Sequence, residues 1–185
     1  VMKHSRDPDE NCYPFIYEAG ALCDFEVFTD ELCGHLGAAL SLLEDPACQD
    51  IVDDLAAIQP LAFHANGSVR GRLAIGEADI DWLKARLAHW RSQPGGQAGG
   101  FVLPRGAQPV PVLHQGRSAC KKAIRALVQV EQQGITVPLQ VPRLLNVLCN
   151  LLFVLTLVIN HRRGLAEVPF VSLSYGRAVA TRPRD

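Results

Sequence analysis

Apolar residues return every three or four positions along most of this chain, in five separate stretches. The first opens at Thr29, where Thr29-Asp30-Glu31 reads as a helix cap and Leu32, Leu36, Leu40 and Leu43 form the stripe. Residues 47–66 set Ile51, Leu55 and Ile58 over Asp50, Asp53 and Asp54. That spacing predicts a second amphipathic helix, kinked at Pro60 because proline lacks the amide donor. Past the turn residues Asn66-Gly67-Ser68, Ile80, Leu83, Leu87 and Trp90 mark a third helix over Glu77–Arg91. His114–Gln132 and Val141–Arg163 are the fourth and fifth, broken apart by Gly134 and Pro138. Almost nothing alternates with a strand's period, so the pattern predicts an all-α five-helix bundle.

Three other segments complete the organisation. Residues 1–25, with Pro8, Pro14 and Gly20, read as irregular, and residues 26–163 as the bundle. Residues 164–185 read as a basic, weakly structured tail. Between the third and fourth helices, residues 92–112 hold SQPGGQAGGFVLPRGAQPVPV, a loop long enough to be functional, with Phe101 expected as a buried hydrophobe in its middle.

Composition narrows the class. With 185 residues, 48% hydrophobic and 20% charged, the chain is neither a disordered polyampholyte nor a fibre. A net charge of −1 removes the broad attraction that a nucleic-acid-coating protein needs. The charge is nonetheless polarised: residues 1–100 carry 7 basic against 16 acidic side chains and residues 101–185 carry 11 against 3, so the halves stand at −9 and +8. Six cysteines at irregular spacing, without a CxxC pair, signal no zinc ribbon. The opening VMKHSRDPDENC holds no apolar signal region, so reduced thiols and a cytoplasmic location are the expectation. Leu144–Ile159, sixteen residues interrupted by Asn146, Asn150 and Thr156, is short for a bilayer and reads as a core helix rather than a membrane span.

Candidate chemistry concentrates on the last two helices. Arg117, Lys121 and Arg125 fall at i, i+4 and i+8, one face with steps of about 6 Å, with Lys122 beside them. Such a row suits a polyphosphate or carboxylate, or is simply a solvated basic face. Asn146 and Asn150, one turn apart on the apolar fifth helix, read as an inward polar stripe that either sets helix register or contacts a ligand. His114 and Cys120 are six residues apart and face different ways, which argues against a metal pair. No GxGxxG, GxxxxGK[ST], HExxH or GxSxG occurs, so dinucleotide, P-loop, zincin and hydrolase-elbow chemistry has no support.

Three stretches, taken together, resemble a known family: Phe101-Val-Leu-Pro; Leu113-His114 followed by Arg117 and Cys120-Lys121-Lys122-Ala123; and Leu145-Asn146 followed by Leu148 and Leu151-Leu152-Phe153-Val154. They are similar in order and spacing to the motifs of the corrinoid adenosyltransferases of the propanediol-utilisation type. Thr29-Asp30-Glu31-Leu32 with Leu36-Gly37, Ile58-Gln59 and Asp81-Trp82-Leu83 extend the likeness over about residues 26–163.

The resemblance implies a homotrimer of five-helix bundles with sites between subunits. Members move the 5′-deoxyadenosyl group of ATP to a Co(I) corrinoid, with magnesium. Cobalt's electron pair forms a bond to the ribose carbon as triphosphate departs. It further implies that Phe101 closes the lower corrin face, leaving a four-coordinate cobalt, and that Asp30 pairs across subunits with Arg117. Arg117, Lys121, Lys122, Arg125 and Asn146 would hold the nucleotide. Yet nothing in residues 1–25 matches the family's glycine-rich nucleotide loop. Lys121 stands for an arginine, Ile124 for a glutamate, Val147 for an arginine and Asn150 for an aspartate, while Arg105-Gly106 replaces a glycine pair. Lysine substitutes poorly for a bidentate guanidinium. The reading is a trimer that binds a corrinoid or related tetrapyrrole with adenosyl transfer weakened or lost. The alternatives are an active ATP:cob(I)alamin adenosyltransferase and a structural subunit that partners a complete paralogue.

Overall fold

In the computed structural model, which describes residues 4–174, five helices follow one another: α1 (Ala21–Leu42), α2 (Gln49–Gly67), α3 (Glu77–Ser92), α4 (Val110–Gln132) and α5 (Gln140–Arg162). Neighbours in space run α2, α1, α4, α5, α3. Asp54 of α2 closes the ring by accepting from Arg86 Nε at 2.7 Å and Trp90 Nε1 at 2.5 Å, both on α3.

Helix α1 begins eight residues before the expected cap. Leu22 and Phe25 carry the buried stripe upstream of Leu32 and Leu36, so the helix continues through Thr29. The Thr29 hydroxyl is satisfied inside the helix, donating to the Phe25 and Glu26 carbonyls at 2.9 and 3.0 Å, and accepts from Asn66 Nδ2 at 2.8 Å. Pro60 does not interrupt α2, which runs unbroken from Gln49 to Gly67. Helix α4 starts four residues earlier than its stripe suggested, with a proline in the first turn, where a missing N–H costs nothing.

α5 is the helix among the described residues long and apolar enough to cross a membrane, but it packs between α3 and α4, with Leu144, Leu145, Leu148, Leu151, Leu152, Val158 and Ile159 all buried. Charge polarity is built into this packing. Glu31–Lys122, Asp50–Arg162 and Glu77–Arg143 each join the acidic first half to the basic second.

The loop between α3 and α4 is fastened at both ends. Gly95 adopts φ +79° where a Cβ would lie 2.2 Å from His161 Cβ, so only glycine fits. Farther on, Val102 pairs antiparallel with Pro169, so residues 168–170 of the expected weakly structured tail are docked on the loop. Residues 175–185 of that tail lie outside the described residues.

Candidate functional site

Two adjoining clefts run along the basic row of α4. One, about 550 Å³, lies between Glu31 and His35 of α1, Pro104 of the loop, and His114, Arg117 and Lys121 of α4. The other, about 420 Å³, holds Lys121, Lys122 and Arg125 against Asp24 and Phe28. Helical spacing thus brings the predicted cations together as expected, with Lys121 shared by both clefts.

The four cations differ in what holds them. Lys122 contacts the Glu31 carboxylate and lies 5.1 Å from the Phe28 ring centroid. That ammonium, helped by His35 3.5 Å away, holds the Glu31 carboxyl below its ordinary value. Arg117 has no carboxylate partner among the described residues. Its guanidinium lies 4.5 Å from the Phe153 ring centroid, Nη1 donates to His114 Nδ1 at 2.8 Å, and the buried Nε has no acceptor. Since a guanidinium only donates, His114 Nδ1 must be unprotonated. Burial, then the neighbouring Arg117 and Lys121 charges, push His114 from 6.5 down to about 4 and keep it neutral. Lys121 and Arg125 make no ion pair among the described residues.

Phe153 also lines a third cleft of about 480 Å³ with Arg91, Gln97, Gly100 and Asn150. Phe101 follows Gly100. Contrary to the expectation of a buried hydrophobe, its side chain is 79% exposed. The loop pairs through its backbone, which leaves the ring no apolar floor in this chain. Asp30 is exposed on α1 and forms no ion pair with Arg117 within the chain.

The inward asparagine stripe is corrected. Asn146 and Asn150 are both exposed, and Asn146 Nδ2 donates to the Pro142 carbonyl at 2.8 Å on its own helix. Apolar residues fill most positions of α5, so its few polar positions gave no clear phase. The buried amide on that helix is Asn160, which the sequence reading passed over. His114, Glu31 and Phe153 stood in the sequence as a rejected metal ligand, a cap residue and a motif position, without a role beside Arg117 or Lys122. Only the i, i+3 spacing of His114 and Arg117 could have flagged one of them.

Among the described residues no cluster of three or more His, Cys, Asp or Glu could hold a metal ion. Position 124, a glutamate in the motif the chain resembles, is a half-buried isoleucine here. These residues form no cage for magnesium.

A five-helix bundle with paired basic clefts and a loop phenylalanine held outward is the class of protein that fold and site define. Residues 27–159 match the cobalamin adenosyltransferase family, and the chain belongs to it. It is 35% identical over 143 residues to a cobalamin adenosyltransferase of Cupriavidus metallidurans, covering 75% of this chain and 74% of that protein. It is 26% identical over 147 residues to a corrinoid adenosyltransferase of Bacillus subtilis, covering 76% and 75%. Its fold is similar to a PduO-type ATP:corrinoid adenosyltransferase from Lactobacillus reuteri. An arginine-to-lysine variant complexed with ATP matches with TM-score 0.73 and 22% identity over 84% of this chain and 90% of that one. A phenylalanine-to-histidine variant complexed with cobalamin and ATP matches with TM-score 0.73 and 21% identity over 83% and 86%.

Proposed function

We propose that this chain is a cytoplasmic homotrimer that binds a corrinoid or related tetrapyrrole between subunits, and that adenosyl transfer from ATP is weakened or lost in it. The observation that carries the reading is the fate of two motif positions. Ile124 and Val147 stand where the family pattern has glutamate and arginine, and both pack on the hydrophobic core. Neither offers a polar atom to a nucleotide or its magnesium. Residues 13–18, in place of a glycine-rich loop, lie against Arg70: Phe15 stacks on its guanidinium at 3.8 Å and Glu18 pairs with it.

The corrinoid side keeps its parts. Phe101 is held in the open, and covering a phenylalanine is worth roughly 1.5–3 kcal/mol, so a flat apolar macrocycle or a neighbouring subunit gains by lying on it. Asp30 is exposed and Arg117 lacks a carboxylate, as a pair made between subunits requires. The relatives complexed with cobalamin and ATP support the ligand class.

A second reading, an active ATP:cob(I)alamin adenosyltransferase, is favoured by Lys121 and Arg125. Both line the smaller basic cleft without an ion pair among the described residues, where a triphosphate would bring its own magnesium.

Titration with cob(II)alamin, with and without magnesium ATP, separates the readings by absorption. A spectral change independent of ATP, diminished by Phe101→Ala, is the expected result. An ATP-dependent four-coordinate spectrum, with adenosylated product under strong reduction, overturns loss of transfer. No change in either case leaves a structural subunit beside a paralogous partner.

A further inference from the structure

The end of α5 and the segment after it grip the loop that carries Phe101. Gly164, at φ +66°, reverses the chain, and the Leu165 N–H donates to the Asn160 carbonyl at 2.8 Å. The returning segment runs antiparallel to the loop through a single bridge: the Leu103 N–H donates to the Val168 carbonyl and the Phe170 N–H to the Phe101 carbonyl, each at 2.8 Å. Beneath this pairing lies Asn160, 1% exposed, whose Nδ2 donates to the Arg105 carbonyl and to Glu167 Oε1, both at 2.9 Å. Gly106 passes so close that a Cβ there would sit 2.3 Å from Asn160 Oδ1. The Arg163 guanidinium adds a contact to the Gln108 carbonyl.

Backbone held at residues 101, 103, 105 and 108 from one neighbouring segment is not a free loop. Ordering a backbone costs conformational entropy at every residue, and Phe101 contributes little burial of its own to offset it. These hydrogen bonds hold the backbone that carries the ring.

We infer that residues 160–170 are a clamp that positions Phe101 for the macrocycle, with Asn160 and Glu167 as its positioning residues and the Phe170 N–H as its outer bond. This rests on the reading that Phe101 faces a corrinoid. The clamp sets how squarely the ring meets the ligand, so it governs affinity and cobalt coordination rather than the fold of the bundle.

Phe170→Pro removes the N–H and also fixes the local backbone angle, whereas Phe170→Ala removes only the side chain, so their difference tests the backbone pairing at this position. Glu167→Ala removes an acceptor that Glu167→Gln retains. With cob(II)alamin as probe, Phe170→Pro should bind about three- to tenfold more weakly than Phe170→Ala, the size of one hydrogen bond, and Glu167→Ala should fall similarly below Glu167→Gln. Far-UV circular dichroism should remain that of the wild type. Without ligand, amide exchange of residues 101–105 should be faster in Phe170→Pro than in Phe170→Ala. Equal exchange in that pair overturns the clamp, and so does equal affinity within both pairs. A wild-type protein that leaves the cob(II)alamin spectrum untouched overturns the corrinoid reading instead, and the exchange comparison still decides whether the loop is clamped.

Discussion

Basic side chains on two sides of this bundle are treated in opposite ways. On the α2–α3 side three arginines are held by carboxylates. Arg86 donates to Asp54 at 2.7 Å, Arg162 reaches both Asp50 oxygens at 2.6 and 2.7 Å, and Arg70 sits between Glu26 and Glu18. On the exposed face of α4, Arg117, Lys121 and Arg125 have none among the described residues. Buried charge needs a partner, so the first set is committed to holding helices together. The second set leaves positive charge over two clefts, available to an anion or to a carboxylate from another subunit. Stability should therefore answer to the first set and association to the second.

The largest effect should come from Asp54→Ala. Asp54 is 7% exposed, and its loss strands both the Arg86 guanidinium and the buried Trp90 N–H. Urea denaturation should show a loss of about 3 kcal/mol, the usual cost of breaking a buried pair from one side. A loss below about 1 kcal/mol would mean that the two sides do not differ as described.

Next in size is the proposed bond between subunits. Arg117→Ala and Asp30→Asn should each weaken the trimer by about 1.5–3 kcal/mol, the range for a hydrogen bond to a charged group, read by sedimentation across a dilution series. The double variant should lose little more than either alone, since the two changes remove one interaction. Additive losses, or unchanged sedimentation, would show that Asp30 and Arg117 do not meet.

How much of this was legible beforehand depended on the distance over which each feature is specified. Helices α3 and α5 matched their stripes within a residue or two, because the buried positions recur every turn. The start of α1 was misplaced because Thr29-Asp30-Glu31 has cap chemistry, although Leu22 and Phe25 already extend the apolar period. Pro111 read as loop, yet the first turn of a helix is where proline is tolerated. The basic row was visible because i, i+4 spacing is local. Its partners were not: Glu31 lies 91 residues from Lys122, and no local pattern places Phe153 under Arg117. The exposure of Phe101 was invisible for the same reason, since residues 168–170 hold its loop from more than sixty positions away.

The smallest effect sharpens the comparison at its centre. Within its own chain Arg117 is oriented by a neutral histidine instead of a carboxylate, which leaves the cation's charge for a partner outside the chain. That arrangement carries a cost in acid. His114 titrates at about 4 in the folded protein and near its ordinary 6.5 when unfolded, so between those values the unfolded chain binds the extra proton. Stability should therefore fall as pH drops from about 6.5 to 4, and this contribution should level off below. Glu31 and Asp50, whose cationic partners hold them below 4.5 and 3.8, lose their share only at more acid pH, through a separate window. His114→Gln keeps an acceptor for Arg117 but cannot titrate. Its stability should track the wild type above pH 7 and exceed the wild type's relative trend between 6.5 and 4.5. Parallel curves through that window would show that His114 takes up its proton as readily folded as unfolded, and that Arg117 is held by something else.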